Sequence, residues 1–133
     1  MTNYVGILDG DGKIYGVRVP DLPGCYGGGA TPEEAIADAI SAAREWIAHR
    51  ETKNEAAPKP STLAQILKTE TIDPSQNEAA VIVPVVLDSG RTVRANLTFD
   101  AGLLEAIDAE AARRGLTRSA FMASAARERL QSV

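Results

Sequence analysis

"RTVRANLTFD", residues 91–100, alternates cleanly: Val93, Ala95, Leu97 and Phe99 fall on one side, Thr92, Arg94, Asn96 and Thr98 on the other. Successive side chains of a strand point to opposite faces, so the run predicts a half-buried β-strand. Beyond it the pattern turns helical. Asp100 caps a segment carrying Leu103, Leu104, Ile107 and Ala111 at helical spacing, and Gly115 stops it. Thr117 caps a second helix whose apolar residues are Phe121, Met122, Ala125, Ala126 and Leu130. One strand and two short helices hold too little core to stand alone, and a single strand has both edges unpaired. The tail is therefore expected to complete itself with a second copy of the chain. The alternative folds the strand back as a hairpin on "AAVIVPVVLDSG" (79–90), its polar face in water.

The outward polar face has a chemistry of its own. Arg pairs with guanine O6 and N7, and Asn pairs with adenine N6 and N7, each through two hydrogen bonds. Arg94, Asn96 and Thr98 are thus candidate base-reading residues. Thr117, Arg118 and Ser119 open the second helix, where free N–H groups and the positive dipole end suit a phosphate. With Thr92 they form the candidate phosphate-contacting set, which fixes register rather than sequence.

Ahead of this tail the pattern changes. "YVGILDGDGKIYGVRV" (4–19) gives two β-rich runs, Tyr4–Leu8 and Ile14–Val19, around the hairpin signal "DGDG". "PDLPG" (20–24) breaks the second run. Thr31, Pro32 and Glu34 then supply a cap, a first-turn proline and an acid three residues on. Ile36, Ile40, Ala43 and Ile47 continue at helical spacing to about His49. After a polar, Pro-bearing loop, "STLAQILKTE" (61–70) predicts a short helix with Leu63, Ile66 and Leu67 on one side. "AAVIVPVVL" (79–87) predicts a strand whose Pro84 belongs at an edge or bulge. The front thus reads β-β-(β)-α-α-β over residues 1–88, and the tail occupies 91–133: an α+β chain in two domains.

The stretch "GCYGGGATPEEA" (24–35) invites a catalytic reading that its residues do not support. A phosphate-cradling loop needs a Lys that is missing, and Glu33 and Glu34 stand where the anion would go. Cys25 would need a base, and His49 lies a helix length away, about 27 Å at 1.5 Å per residue. Asp9, Asp11 and Asp21 fall in or beside turns, where acids act as turn formers, and no further acid completes a two-metal set. The stretch reads as a bend whose glycines provide positive φ and close approach.

Composition sets the outer limits. The chain has 133 residues, 44% apolar and 24% charged, as expected of a globular protein of one ordinary domain or two small ones. Its start lacks the basic and apolar regions of a signal peptide, and no run reaches 18 apolar residues. The lone Cys25 fits a reducing compartment, so a cytoplasmic, membrane-free protein is expected. With one histidine, zinc would need Cys25, His49 and carboxylates to converge, so neither metal nor cofactor is expected. Residues 1–90 carry a net charge of −6 and residues 91–133 a net charge of +2. An acidic front joined to an Arg-only basic tail puts any polyanion at the back.

These residues carry two resemblances. Residues 92–130, "TVRANLTFDAGLLEAIDAEAARRGLTRSAFMASAARERL", resemble a ribbon-helix-helix DNA-binding domain. In that family two chains pair their strands and lay the ribbon in the major groove. "YGVRVPDLPGCYGGGATPEEAIADAISAAREWI" (15–47) followed by "PKPSTLAQI" (58–66) resembles the N-terminal domain of HicB-type antitoxins, with "PDLPG", glycines and "TPEEA" as its mark. The resemblance implies a degenerate RNase H-like front that neutralises a small HicA-type toxin, an mRNA-cleaving ribonuclease. It also implies repression of the shared operon by the tail, and no enzymatic activity of the chain itself. Candidate toxin-docking residues are Asp21, Gly24 and Tyr26. A homodimer through the tail strand is implied, and front-domain contacts could join two dimers into a tetramer. Without the resemblance, a stand-alone DNA-binding regulator with a ligand-sensing front, its pocket lipped by the glycine loop, stays open.

Overall fold

A computed structural model describes residues 1–87 and 91–131. The chain forms two compact units, Met1–Leu87 and a second one whose described residues are 91–131. The first unit is a four-stranded antiparallel sheet with two helices. Strand β1 runs Thr2–Gly10, β2 Tyr15–Arg18, β3 Tyr26–Gly29 and β4 Ala79–Val85, in the spatial order β3-β2-β1-β4. Helix α1 spans Pro32–Glu51, α2 spans Leu63–Thr69, and a 3-10 turn covers Pro74–Gln76 before β4.

The β1–β2 hairpin forms where "DGDG" places it. The Asp11 carboxylate accepts the Lys13 and Ile14 N–H groups at 2.8 Å each and so closes the turn. Pairing runs Ile7 with Arg18 to Gly10 with Tyr15 on one side of β1, and Thr2 with Val85 to Leu8 with Ala79 on the other. β4 is an edge strand, which accommodates Pro84 opposite Asn3.

Alternation along β1 divides its apolar residues between two faces. Tyr4 packs with Val17, Val19, Val83 and Val85 under Ala35, Ala39, Ile40, Ala43 and Ile47 of α1. Val5 and Ile7 meet Ile66 of α2 in a smaller cluster, joined by Ile72 and Ala80. Only Ile66 of α2 is buried; Leu63 and Leu67, expected beside it, are exposed. A seven-residue helix turns fewer than two full times and can seat only one such residue deeply.

The glycine run is a strand as well as a bend. Tyr26–Gly29 pairs along β2, with Val17 opposite Gly27 and Tyr15 opposite Gly29. Positive φ is not what Gly27 supplies here. A Cβ on Gly27 would lie 2.3 Å from the Ala39 nitrogen, and one on Gly29 would lie 2.5 Å from the Glu34 Cβ. The strand is glycine because the backbone of α1 rests on it, and Ala35 and Ala39 keep the helix equally thin there.

The second unit holds α3, Ala101–Arg113, and α4, Arg118–Gln131. Asp100 caps α3 by accepting the Leu103 N–H at 3.1 Å. Its far end closes with the Leu116 N–H on the Ala111 carbonyl and the Gly115 N–H on that of Ala112, Gly115 standing at φ +70°. Thr117 caps α4, its Oγ1 accepting the Ala120 N–H at 3.1 Å.

Filling the thin contact should break it. Gly27→Val is expected to destabilise the first unit by about 1–3 kcal/mol, as overpacking does. Urea unfolding followed by the single Trp46 would read this as a lower midpoint.

Candidate functional site

Residues 91–100 join no sheet. Val93 and Leu97 are 78% and 70% exposed, and Arg94, Asn96 and Thr98 are exposed beside them. The hairpin alternative needed this run in a ladder with β4, and no such ladder forms among the described residues. Its turn, Asp88-Ser89-Gly90, lies outside the described residues.

The helices of this unit are equally thinly covered. Of its described residues, only Ile107 and Ala111 are buried. Leu103, Leu116 and Leu130 are exposed, and no residue of α4 is buried. The unit thus offers a strand-patterned segment and two helices whose apolar side chains are largely in water.

Two carboxylates of this unit, Glu110 and Asp108, hold three of its arginines. Glu110 binds Arg113 and Arg114, with Arg114 Nε 2.7 Å from Oε1. Hydrogen bonds from Arg113 and then Arg114 hold the Glu110 carboxyl down at about 2. Arg118, in the candidate phosphate set, gives Nε and Nη2 to the two oxygens of Asp108 at 2.8 and 2.7 Å. Arg94 has neither hydrogen bond nor ion pair among the described residues, and neither do Asn96 and Thr98.

In the first unit the glycine segment proves to be closed by its own acids. The Gly28 N–H donates to Asp38 at 2.9 Å, and the Ala30 N–H donates to Glu34 at 2.9 Å. An incoming phosphate would have to displace two carboxylates of this chain. The candidate docking residues divide. Asp21 accepts the Ser61 N–H at 2.6 Å and the Ser61 hydroxyl at 2.8 Å, anchoring the loop before α2. Gly24 and Tyr26 are exposed. A shallow hollow of about 440 Å³ lies elsewhere, at the hairpin tip, lined by Asp9, Gly10, Asp11, Ile14, Gln76 and Glu78. Among the described residues no three His, Cys, Asp or Glu side chains group so as to hold a metal ion.

Cys25 and His49 require a correction. They were expected a helix length apart. In fact residues 23–29 run back alongside α1: Gly27 lies against Ala39, and Trp46 Nε1 donates to the Pro23 carbonyl at 2.9 Å. Helix length is therefore no measure of their separation. Burial is what disarms the thiol: Cys25 sits in the core, and desolvation pushes its pKa up, away from the thiolate. His49 is exposed.

No helix among the described residues is long and apolar enough to cross a membrane. Compared with known proteins, residues 4–126 match the family described as HicB-like antitoxin of bacterial toxin–antitoxin systems. No curated protein sequence matches the chain. The Burkholderia pseudomallei antitoxin HicB is 30% identical over 98% of this chain and 97% of its own, with a TM-score of 0.48. The crystal structure of antitoxin HicB3 is 25% identical over 99% of this chain and 100% of its own, with a TM-score of 0.55. A chain of the HicA3 and HicB3 toxin–antitoxin complex shares the fold at 17% identity and a TM-score of 0.51, over 65% of this chain and 100% of its own.

A buried thiol should be silent until the core opens. Ellman's reagent at pH 8 is expected to leave Cys25 unmodified in the folded protein and to titrate one thiol in urea.

Proposed function

The chain belongs to the HicB-like antitoxins of bacterial toxin–antitoxin systems, and from that premise we propose that it works through two separate surfaces. The first unit binds and neutralises a HicA-type mRNA-cleaving toxin. The second pairs with a copy of itself and binds operator DNA, repressing the operon that encodes both proteins. The chain is an inhibitor and repressor, not an enzyme.

One observation carries the tail's role: an alternating segment, Val93 to Phe99, stands outside every sheet while Val93 and Leu97 are in water. Antiparallel pairing with the same segment of a second chain supplies each edge with a partner and turns four apolar side chains per chain inward. Arg94, Asn96 and Thr98 then face outward from a two-stranded ribbon of the width a major groove admits. Thr92, Thr117, Arg118 and Ser119 contact phosphates beside it.

For the toxin, charge and kinship support the reading. Residues 1–90 carry −6, which suits a partner that must be basic to hold RNA and would speed encounter. A chain of the same fold occurs in the HicA3–HicB3 complex. Gly24 and Tyr26 are the docking residues we retain. Asp21 contributes through the Ser61 loop it anchors. The ligand-sensing alternative gains no support from the glycine segment, whose Gly28 and Ala30 N–H groups are occupied by this chain's carboxylates.

Two experiments test the division of labour. Arg94→Ala and Asn96→Ala should each lose about 1–3 kcal/mol of discrimination between operator and mutated operator in gel-shift titrations at fixed salt. Both should still rescue cells expressing the toxin. Unchanged operator preference sinks the ribbon assignment, and rescue by residues 91–133 alone sinks the toxin-binding role of the first unit. In addition, Leu97→Asp should turn the sedimenting species into a smaller one, since it places a carboxylate in the proposed strand interface.

A further inference from the structure

The Arg118–Asp108 pair is placed where the proposed DNA contact needs a free cation. Arg118 is the first residue of α4, and Asp108 lies in the body of α3. Their two hydrogen bonds, 2.8 and 2.7 Å, form a bidentate charge-assisted pair. Both side chains remain about half exposed, at 56% and 45%. A pair so open to water is screened by salt and contributes little to stability. Packing therefore gives no sufficient reason for it, whereas its charge has a consequence at a phosphate-facing position.

We propose that Asp108 is a built-in competitor for the DNA phosphate at Arg118, holding the affinity of each tail below what its arginines alone would give. The inference rests on the DNA-binding reading above. An arginine already neutralised by its own carboxylate displaces fewer of the cations condensed on the DNA phosphates. Each phosphate neutralised by a free cation steepens the salt dependence of log K by about 0.9. The Arg118 contact of the parent protein should thus contribute less salt-dependent affinity per chain than a free arginine would. Asp108 is a positioning residue here: it acts only through Arg118. The other carboxylate clamp of α3, Glu110, holds Arg113 and Arg114. Asp108 pairs with Arg118 instead, across the two helices.

The test uses the full chain, with and without Asp108→Asn, and double-stranded DNA from upstream of its own coding sequence. Binding is measured across roughly 0.05–0.2 M salt, the range over which phosphate contacts show their slope. Asp108→Asn is expected to steepen the slope of log K against log salt by up to about 0.9 per chain in contact. On going from the top of that range to the bottom, the variant's affinity should rise up to roughly 3.5-fold more than the parent's per chain. In an Arg118→Ala background, the same change at Asp108 should leave the slope where it was. Parallel salt lines for parent and Asp108→Asn overturn the proposal. So does a variant that binds more weakly at every salt, the signature of a carboxylate that merely holds the helices or presents the arginine. If the parent fails to bind the DNA at all, the DNA-binding reading falls first and takes this inference with it.

Discussion

The second unit cannot bury its own apolar surface, and that shortage governs most of the chain's behaviour. Two helices and a strand-patterned segment leave Ile107 and Ala111 as the buried residues among those described, while Val93, Leu97, Leu103, Leu116 and Leu130 face water. A unit of about 40 residues exposes too much surface per residue to be stable alone. The proposed association would relieve this shortage, because each copy supplies the cover the other lacks. In the proposed dimer, pairing is part of folding, and the stability of the tail rises with chain concentration. Any function that needs two symmetric half-sites inherits its geometry from this requirement.

The first unit solves the opposite problem. It buries both faces of a small sheet, one under the long helix α1 and one under the single deep residue of α2. That compactness has its cost at β3, where Gly27 and Gly29 give up side chains so that the α1 backbone can settle on the strand. Around this contact the chain uses its acids as internal caps. Asp38 takes the Gly28 N–H, Glu34 takes that of Ala30, and Asp21 takes the N–H and hydroxyl of Ser61. Two N–H groups of the glycine-rich segment are thereby taken by carboxylates of this chain.

Local chemistry was legible in the sequence wherever a single residue type determines it. Thr31, Pro32 and Glu34 marked the start of α1, "DGDG" marked the hairpin, and Gly115 marked the end of α3. The bracketed third strand of the front is present as β3, although three successive glycines carry little strand propensity: β2 pairs along it and α1 lies over it. Two features escaped because they depend on distant neighbours. Leu63 and Leu67 share a helical face with Ile66, but the shallow seat of α2 buries only one of the three. Cys25 and His49 were separated by counting along a helix, and the chain's reversal made that count irrelevant. The alternation from Val93 to Phe99 was plain in the sequence. Its two unpaired edges were read there as the mark of a second copy.

Asp38 of α1, reaching over to β3, has a bearing on the free chain. The sheet has two open flanks, and on one of them the Gly28 N–H is already satisfied by this aspartate. On the other, Pro84 brings no N–H at all. Both margins are therefore poor templates for a stray strand. A newly made polypeptide whose tail still shows oily side chains is most at risk of sticking to the wrong neighbour, and blunted margins remove the commonest way for that mistake to propagate.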